Sequence, residues 1–278
     1  MIACFYPLDK PKHRDVVKNF ALGIGKNAKL YPIGHFLRNK KLPAGTTGVA
    51  FAGILRGFGD LYKYCVEHKV PFYYIDHAYL NAGYDTSEKW MRITKNSFTQ
   101  NAACNNATPN KFNKYFPNVE MLPWKKDRGE YILLIPPTDA VKYVFAVHEW
   151  QELVKNEIKK YTNRPIKVRE KESKLLLNPD GTQHSWTKTY YDTTVSEDIN
   201  GAHCVVAYNS NIAVDAALRG VPVFTSENSV AYPISNTISD IENPYFMHRE
   251  QWLWNIANNQ FSRREIMNGT AFDFLKQL

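Results

Sequence analysis

Cysteine is scarce in this 278-residue chain: Cys4, Cys65, Cys104 and Cys204 are the only four, and no Cys-x-x-Cys pair occurs. Thiols so widely spaced, with Cys4 and Cys204 inside apolar strand-like runs, exclude a thiolate zinc site and fit a reducing compartment. Long apolar runs are missing too. Tyr131 to Pro137 is among the longest, far short of a bilayer span. The N-terminus reads MIACFYPLDK, with no basic residue ahead of its apolar stretch, so no secretory leader is expected. No internal repeat of fixed period is found.

Apolar and aromatic residues are plentiful, at 44% and 14%. That supply builds substantial cores and excludes a wholly disordered chain. The length fits one large domain or two of ordinary size.

Positive charge is in excess and unevenly placed. The chain carries 35 Lys+Arg against 27 Asp+Glu, a net of +8. The Pro- and Lys-rich stretch Leu122-Pro-Trp-Lys-Lys-Asp-Arg-Gly129 is a candidate boundary. Residues 1–128 hold 20 Lys+Arg and 9 Asp+Glu, a net of +11, and residues 129–278 hold 15 and 18, a net of −3. A basic first half serves solubility, or it meets a polyanion such as nucleic acid or an anionic membrane.

The pattern along the chain is strand, helix, strand. Residues 1–7, 29–33, 48–54 and 70–76 read as strands, the last two apolar enough to be buried in a parallel sheet. Residues 13–25 and 56–68 read as helices, and 90–94 as a further strand. Residues 81–121 are otherwise irregular and Asn-rich. The rhythm restarts with strands at 130–135 and 165–169, a helix at 148–161 and a short helix at 196–200. Residues 172–192 form a polar insertion. The strand 203–208 leads through a polar turn into a helix that Gly220 ends in a left-handed position, and a strand follows to Thr225. Helices near 248–257 and 262–275 close the chain. Two successive α/β units of this kind bind ligands beyond the carboxyl ends of their strands.

Those ends supply the candidate site residues. Strand 70–75 delivers Asp76 and His77, a natural position for a general base, with Asp76 favoured. A structural Asp capping the next turn is the alternative. Strand 165–169 delivers Arg169 and Lys171, with Lys167 on the same alternation, either to hold phosphate or to guard a strand edge. Strand 203–208 delivers Asn209, Ser210 and Asn211 at a helix start, where they bind phosphate or simply cap. Thr138 follows Pro136-Pro137 on a short stiff loop. Arg38, Lys40 and Lys41 cluster in an expected loop. Tyr79, Tyr84, Arg92, Lys95 and Asn96 mix aromatics, cations and amides in the manner of a nucleic-acid surface.

The passage Val205-Val-Ala-Tyr-Asn-Ser-Asn-Ile-Ala-Val-Asp-Ala-Ala-Leu-Arg-Gly-Val-Pro-Val-Phe224 resembles the donor domain of GT-B glycosyltransferases. There a serine-bearing turn, a helix of small residues and Gly-x-Pro-Val follow one another. The strand bearing Arg169 and Lys171 is similar to the basic donor-phosphate strand of capsule-type relatives. The segment Arg249 to Gly269 resembles tails of bacteriophage-encoded proteins of this type. The resemblance covers residues 130–270 and is weak across residues 1–128. One departure is the missing Glu that many members place after the serine turn to hold a ribose; Asp215 lies nearby on the helix. No Asp-x-Asp occurs, in keeping with a metal-independent member.

The resemblance implies an α/β protein of two Rossmann-like domains facing a central cleft. Residues 1–128 would bind the acceptor and residues 129–247 a nucleotide-sugar such as a UDP-sugar, with no other cofactor. Residues 248–278 would pack back on the first domain. The expected enzyme moves a sugar to a hydroxymethylated pyrimidine of double-stranded phage DNA in the host cytoplasm, with no integral membrane contact. Asp76 would take the hydroxyl proton. Arg169, Lys171, Ser210 and its neighbours Asn209 and Asn211, with Thr138, would hold the donor. Arg38, Lys40, Lys41, Arg92 and Lys95 would meet DNA, and the target base would have to flip out. A capsule or lipopolysaccharide glycosyltransferase and a non-catalytic nucleic-acid binder are the rivals.

Overall fold

The computed structural model describes residues 1–80, 90–100, 106–170, 176–177, 183–185 and 191–278. The chain forms two compact units, Met1–Val119 with Arg249–Leu278, and Glu120–His248. The boundary therefore falls ahead of the Pro- and Lys-rich stretch. Leu122 and Lys125 donate backbone hydrogen bonds to Leu218 and Gly220, which ties that stretch to the second unit.

The first unit is built on a six-stranded sheet. Its strands are β1 (Ile2–Tyr6), β2 (Ala28–Pro32), β3 (Gly48–Ala52), β4 (Phe72–His77), β5 (Met91–Lys95) and β12 (Gln260–Phe261). The order is β12-β5-β4-β3-β1-β2. The pairs β1–β2, β1–β3 and β3–β4 are parallel; β4–β5 and β5–β12 are antiparallel. Strand alternation sorts side chains to two faces. Cys4, Ala50, Ala52, Tyr73 and Ile75 pack with Val17, Phe20 and Ile24 of α1 (Pro11–Ile24). Ile266 of α10 (Arg263–Met267) and Leu275 of α11 (Thr270–Lys276) complete that layer. On the other face Phe5 meets Phe36 of α2 (Ile33–Asn39), and Phe51 stacks on Phe58 of α3 (Phe58–Glu67). Helix α4 (Asn110–Tyr115) packs on α9 (Glu250–Asn258). The closing helices thus belong to the first unit, and β12 extends its sheet.

The second unit has four parallel strands, β6 (Tyr131–Ile135), β7 (Ile166–Val168), β10 (Ala202–Ala207) and β11 (Val223–Thr225), in the order β11-β10-β6-β7. A separate antiparallel pair joins β8 (Leu176–Leu177) and β9 (Gln183–Ser185). Ile132, Leu134, Cys204, Val206 and Phe224 form a core with Val154 and Ile158 of α6 (Trp150–Ile158). Helices α7 (Val195–Asn200) and α8 (Ile212–Leu218) pack on β10, and α8 reaches β11. Helix α5 (Asp139–Phe145) precedes α6. Gly220 takes φ +75°, the left-handed position expected of it, and a Cβ there would run into the Pro123 carbonyl.

The α/β class and the parallel strands agree with the sequence expectation. Among the described residues, no helix is long and apolar enough to cross a membrane.

Candidate active site

Each sheet reverses its winding once. In the first unit the chain steps from β1 outward to β2, then returns across β1 to β3. The reversal lies between β1 and β3, and sheets of this kind bind ligands at the carboxyl ends beside such a reversal. Asp9, Lys10 and His13 follow β1, Gly53 and Arg56 follow β3, and Asp76 and His77 end β4.

Asp76 is held by three donors. The Tyr74 hydroxyl donates to its Oδ2 at 2.6 Å, Arg92 Nη2 to the same oxygen at 2.9 Å, and the His77 backbone N–H to Oδ1 at 2.8 Å. Burial pushes its carboxyl up, but the Arg92 guanidinium and these hydrogen bonds more than offset it, so the pKa falls below the ordinary 3.8. Such a carboxylate stays charged and is a weak proton acceptor at neutral pH.

Arg92 is accordingly no DNA-facing side chain. It is 5% exposed and stands opposite Asp76 in the β4–β5 register. Its Nη1 donates to the Tyr79 hydroxyl at 2.7 Å, which donates to the Thr99 carbonyl at 2.6 Å. Its guanidinium lies 4.8 Å from the Tyr79 ring centre. Burial pushes the Tyr79 hydroxyl up to about 12, so it remains a donor. With the rings of Tyr74, Tyr79 and Phe98 against its guanidinium and the Asp76 carboxylate as partner, Arg92 forms a buried ion pair.

His13, in the first turn of α1, was not singled out by the sequence. It is half-buried against the backbone of Gly53, where a Cβ would lie 3.1 Å from its Cε1 and 3.4 Å from its Nδ1. Gly53 has φ +70° and brings no side chain of its own against the imidazole. Burial lowers the His13 pKa from 6.5; the Asp76 charge pulls it back up, and His77, Lys10 and Arg56 push it down. Arg56 is anchored by Asp9, its Nε donating to Oδ2 at 2.6 Å.

The remaining basic candidates of this unit lie on its surface or edge. Arg38, Lys40 and Lys41 are exposed at the end of α2, a helix where the sequence predicts a loop. Lys40 caps that helix with φ 49° and pairs with Asp60 at 3.3 Å. Lys95 is half-buried at the end of β5. Tyr84 lies outside the described residues.

In the second unit the reversal lies between β6 and β10. Registers align Ile135, Ala207 and Thr225 at the strand ends. Pro136-Pro137-Thr138, Tyr208-Asn209-Ser210 and Ser226 therefore emerge side by side. Thr138 stands at the N-cap of α5 and makes no capping hydrogen bond there. Ser210 Oγ accepts from Ile212 N at 3.3 Å, and Asn211 is the N-cap of α8. Asn209, Ser210 and Asn211 are each half-buried. The Tyr208 hydroxyl accepts from Asn228 Nδ2 at 2.8 Å, its ring packed by Phe145 and Trp150. Thr225 Oγ1 is buried with no hydrogen-bond partner.

The basic strand is not a row of free cations. Lys167 Nζ donates to Asp198 Oδ1 at 2.6 Å, and Arg169 Nη1 donates to Asp198 Oδ2 and, at 3.0 Å, to the Thr193 carbonyl. Asp198 is 1% exposed. Burial raises its carboxyl, but hydrogen bonds from Lys167, Thr193 and Arg169 bring it below 3.8. Among the described residues no hydrogen bond engages Arg169 Nε or Nη2, and its guanidinium lies 4.2 Å from the Tyr191 ring centre. Lys171 lies outside the described residues. Asp198 was invisible as a partner because it sits in the capping-box helix that starts at Thr194. Nothing local ties it to β7.

No family model and no curated protein matches the chain. Among solved structures it is similar to the Thermosulfurimonas dismutans KpsC, beta Kdo 2,4 transferase, at 12% identity and a TM-score of 0.49, over 92% of this chain and 89% of that one. It is also similar to the Thermosulfurimonas dismutans KpsC, beta Kdo 2,7 transferase, at 11% identity and a TM-score of 0.48, over 99% of this chain and 100% of that one. Likeness at that depth assigns neither reaction nor substrate, so the functional reading rests on the side chains at the two winding reversals.

Proposed function

We propose that the chain is a glycosyltransferase that moves a sugar from a nucleotide-sugar to a hydroxyl group. The observation that carries this reading is the pair of winding reversals, each lined with side chains of a different kind. The second unit offers hydroxyls, amides and Arg169 Nε and Nη2, which suit a sugar and its leaving phosphate. The first unit offers an imidazole and a carboxylate that is charged at neutral pH, which suit activation of a hydroxyl.

The acceptor we favour is a hydroxymethylated pyrimidine in DNA. Charge supports it. With the boundary where the fold puts it, the first unit holds 21 Lys+Arg against 10 Asp+Glu, and the second 14 against 17. The net stays +11 against −3, so the asymmetry does not depend on the linker residues. A field of that sign draws in a polyanion.

The test is transfer itself. DNA containing hydroxymethylcytosine or hydroxymethyluracil is incubated with a panel of nucleotide-sugars and digested to nucleosides. A gain of one sugar mass on the modified nucleoside is expected. Transfer to a carbohydrate or lipid-linked acceptor, with none to DNA, would move the acceptor to the bacterial envelope and leave glycosyl transfer standing. No transfer to any acceptor would overturn the reading.

A further inference from the structure

We infer that His13 is the catalytic base that takes the proton from the acceptor hydroxyl, with the charge of Asp76 supporting the imidazolium that forms. The inference rests on the glycosyl-transfer reading and sharpens it.

Three observations place the base there. His13 stands at the winding reversal of the first unit, on the first turn of α1 directly after β1. Its ring lies against the bare backbone of Gly53 at the end of β3. Asp76, the obvious alternative, already accepts hydrogen bonds from Tyr74, Arg92 and the His77 N–H. The groups that set the charge around the imidazole come from every neighbouring segment: Lys10 before α1, Arg56 after β3, and Asp76 and His77 from β4. Burial, with His77, Lys10 and Arg56, lowers the pKa of the ring from 6.5 and so favours the unprotonated state a base requires. The Asp76 carboxylate favours the imidazolium that forms once the proton arrives.

The step balances simply. The acceptor O–H bond breaks and its proton goes to the unprotonated ring nitrogen of His13. The oxygen forms a bond to the anomeric carbon. The bond from that carbon to the phosphate oxygen breaks, and the nucleotide leaves with the electron pair. The imidazolium then releases the proton to solvent.

The pH profile of kcat, with His13→Asn and Asp76→Asn variants, tests this. The wild-type profile should rise with pH through an acid limb below 6.5. His13→Asn should lose that limb and about 10²- to 10⁴-fold in kcat. Asp76→Asn should move the limb to lower pH, because the carboxylate holds the His13 pKa up. An NMR titration of the His13 ring in the wild type and in Asp76→Asn reads the same coupling without any turnover. A wild-type-like kcat in His13→Asn, or a His13 titration that Asp76→Asn leaves unmoved, would overturn the inference while leaving glycosyl transfer intact. A wild type that transfers no sugar to any acceptor removes the reading and the inference together.

Discussion

Arg92 and Asp76 are register partners on adjacent antiparallel strands, joined by a 2.9 Å hydrogen bond from Nη2 to Oδ2. Side-chain exposures are 7% and 24%. Removing the arginine strands a mostly enclosed carboxylate. Arg92→Met should cost about 3 kcal/mol, the low end for breaking a buried pair, because Tyr74 and the His77 N–H still serve Asp76. Urea unfolding of the variant measures it; a loss under 1 kcal/mol would mean that the pair contributes little.

The same pair sets an acid dependence. Asp76 has a folded pKa below 3.8. Its contribution to stability is therefore present above 3.8 and lost as pH falls through the lower folded value. Unfolding free energy measured from pH 5 downward should fall less steeply in Asp76→Asn than in the wild type. Equal slopes would contradict the lowered pKa.

In the second unit Asp198 pairs with both Lys167 and Arg169. Asp198→Asn should destabilise the protein by about 2 kcal/mol. That lies below the usual cost of breaking a buried pair, because Lys167 is 37% exposed and partly screened by water. Chemical denaturation with and without 0.5 M salt checks it, and salt should narrow the difference from wild type.

Gly220→Ala combines a left-handed backbone with a Cβ aimed at the Pro123 carbonyl. It should cost more than about 1 kcal/mol. A thermal midpoint equal to the wild type's would show that the Glu120–Arg128 stretch can yield.

If the first unit binds DNA through Arg38, Lys40 and Lys41, each residue that meets a phosphate should add about 1 to the slope of log affinity against log salt. Neutralising all three should flatten the slope. An unchanged slope would place the contacts elsewhere on that unit.

Much of the fold was legible in the sequence. The apolar strands and helices α1, α3 and α6 stand where their periodicity puts them, and α8 is bracketed by its polar turn and by Gly220, which marks a real helix end. Helices α2, α4 and α5 are only six or seven residues long, too short for a clear helical period. The closing helix divides at Gly269, whose φ is +90°. Strand β12 has two residues and exists only because it pairs with β5. The site was legible at its carboxyl-end loops and hidden in its ion pairs. Asp76 meets Arg92 through strand register, and Arg169 meets Asp198 across 29 residues. His13 was hidden too, since nothing in its own helix shows that β3 and β4 end beside it.

The central claim is glycosyl transfer, and its most direct measure is release of free nucleotide from a nucleotide-sugar, followed with and without hydroxymethylated DNA. The account predicts release that depends on the acceptor, saturates with it, and is matched mole for mole by sugar on the DNA. Absence of release with every nucleotide-sugar, whether DNA, carbohydrate or lipid-linked acceptor is supplied, would contradict it.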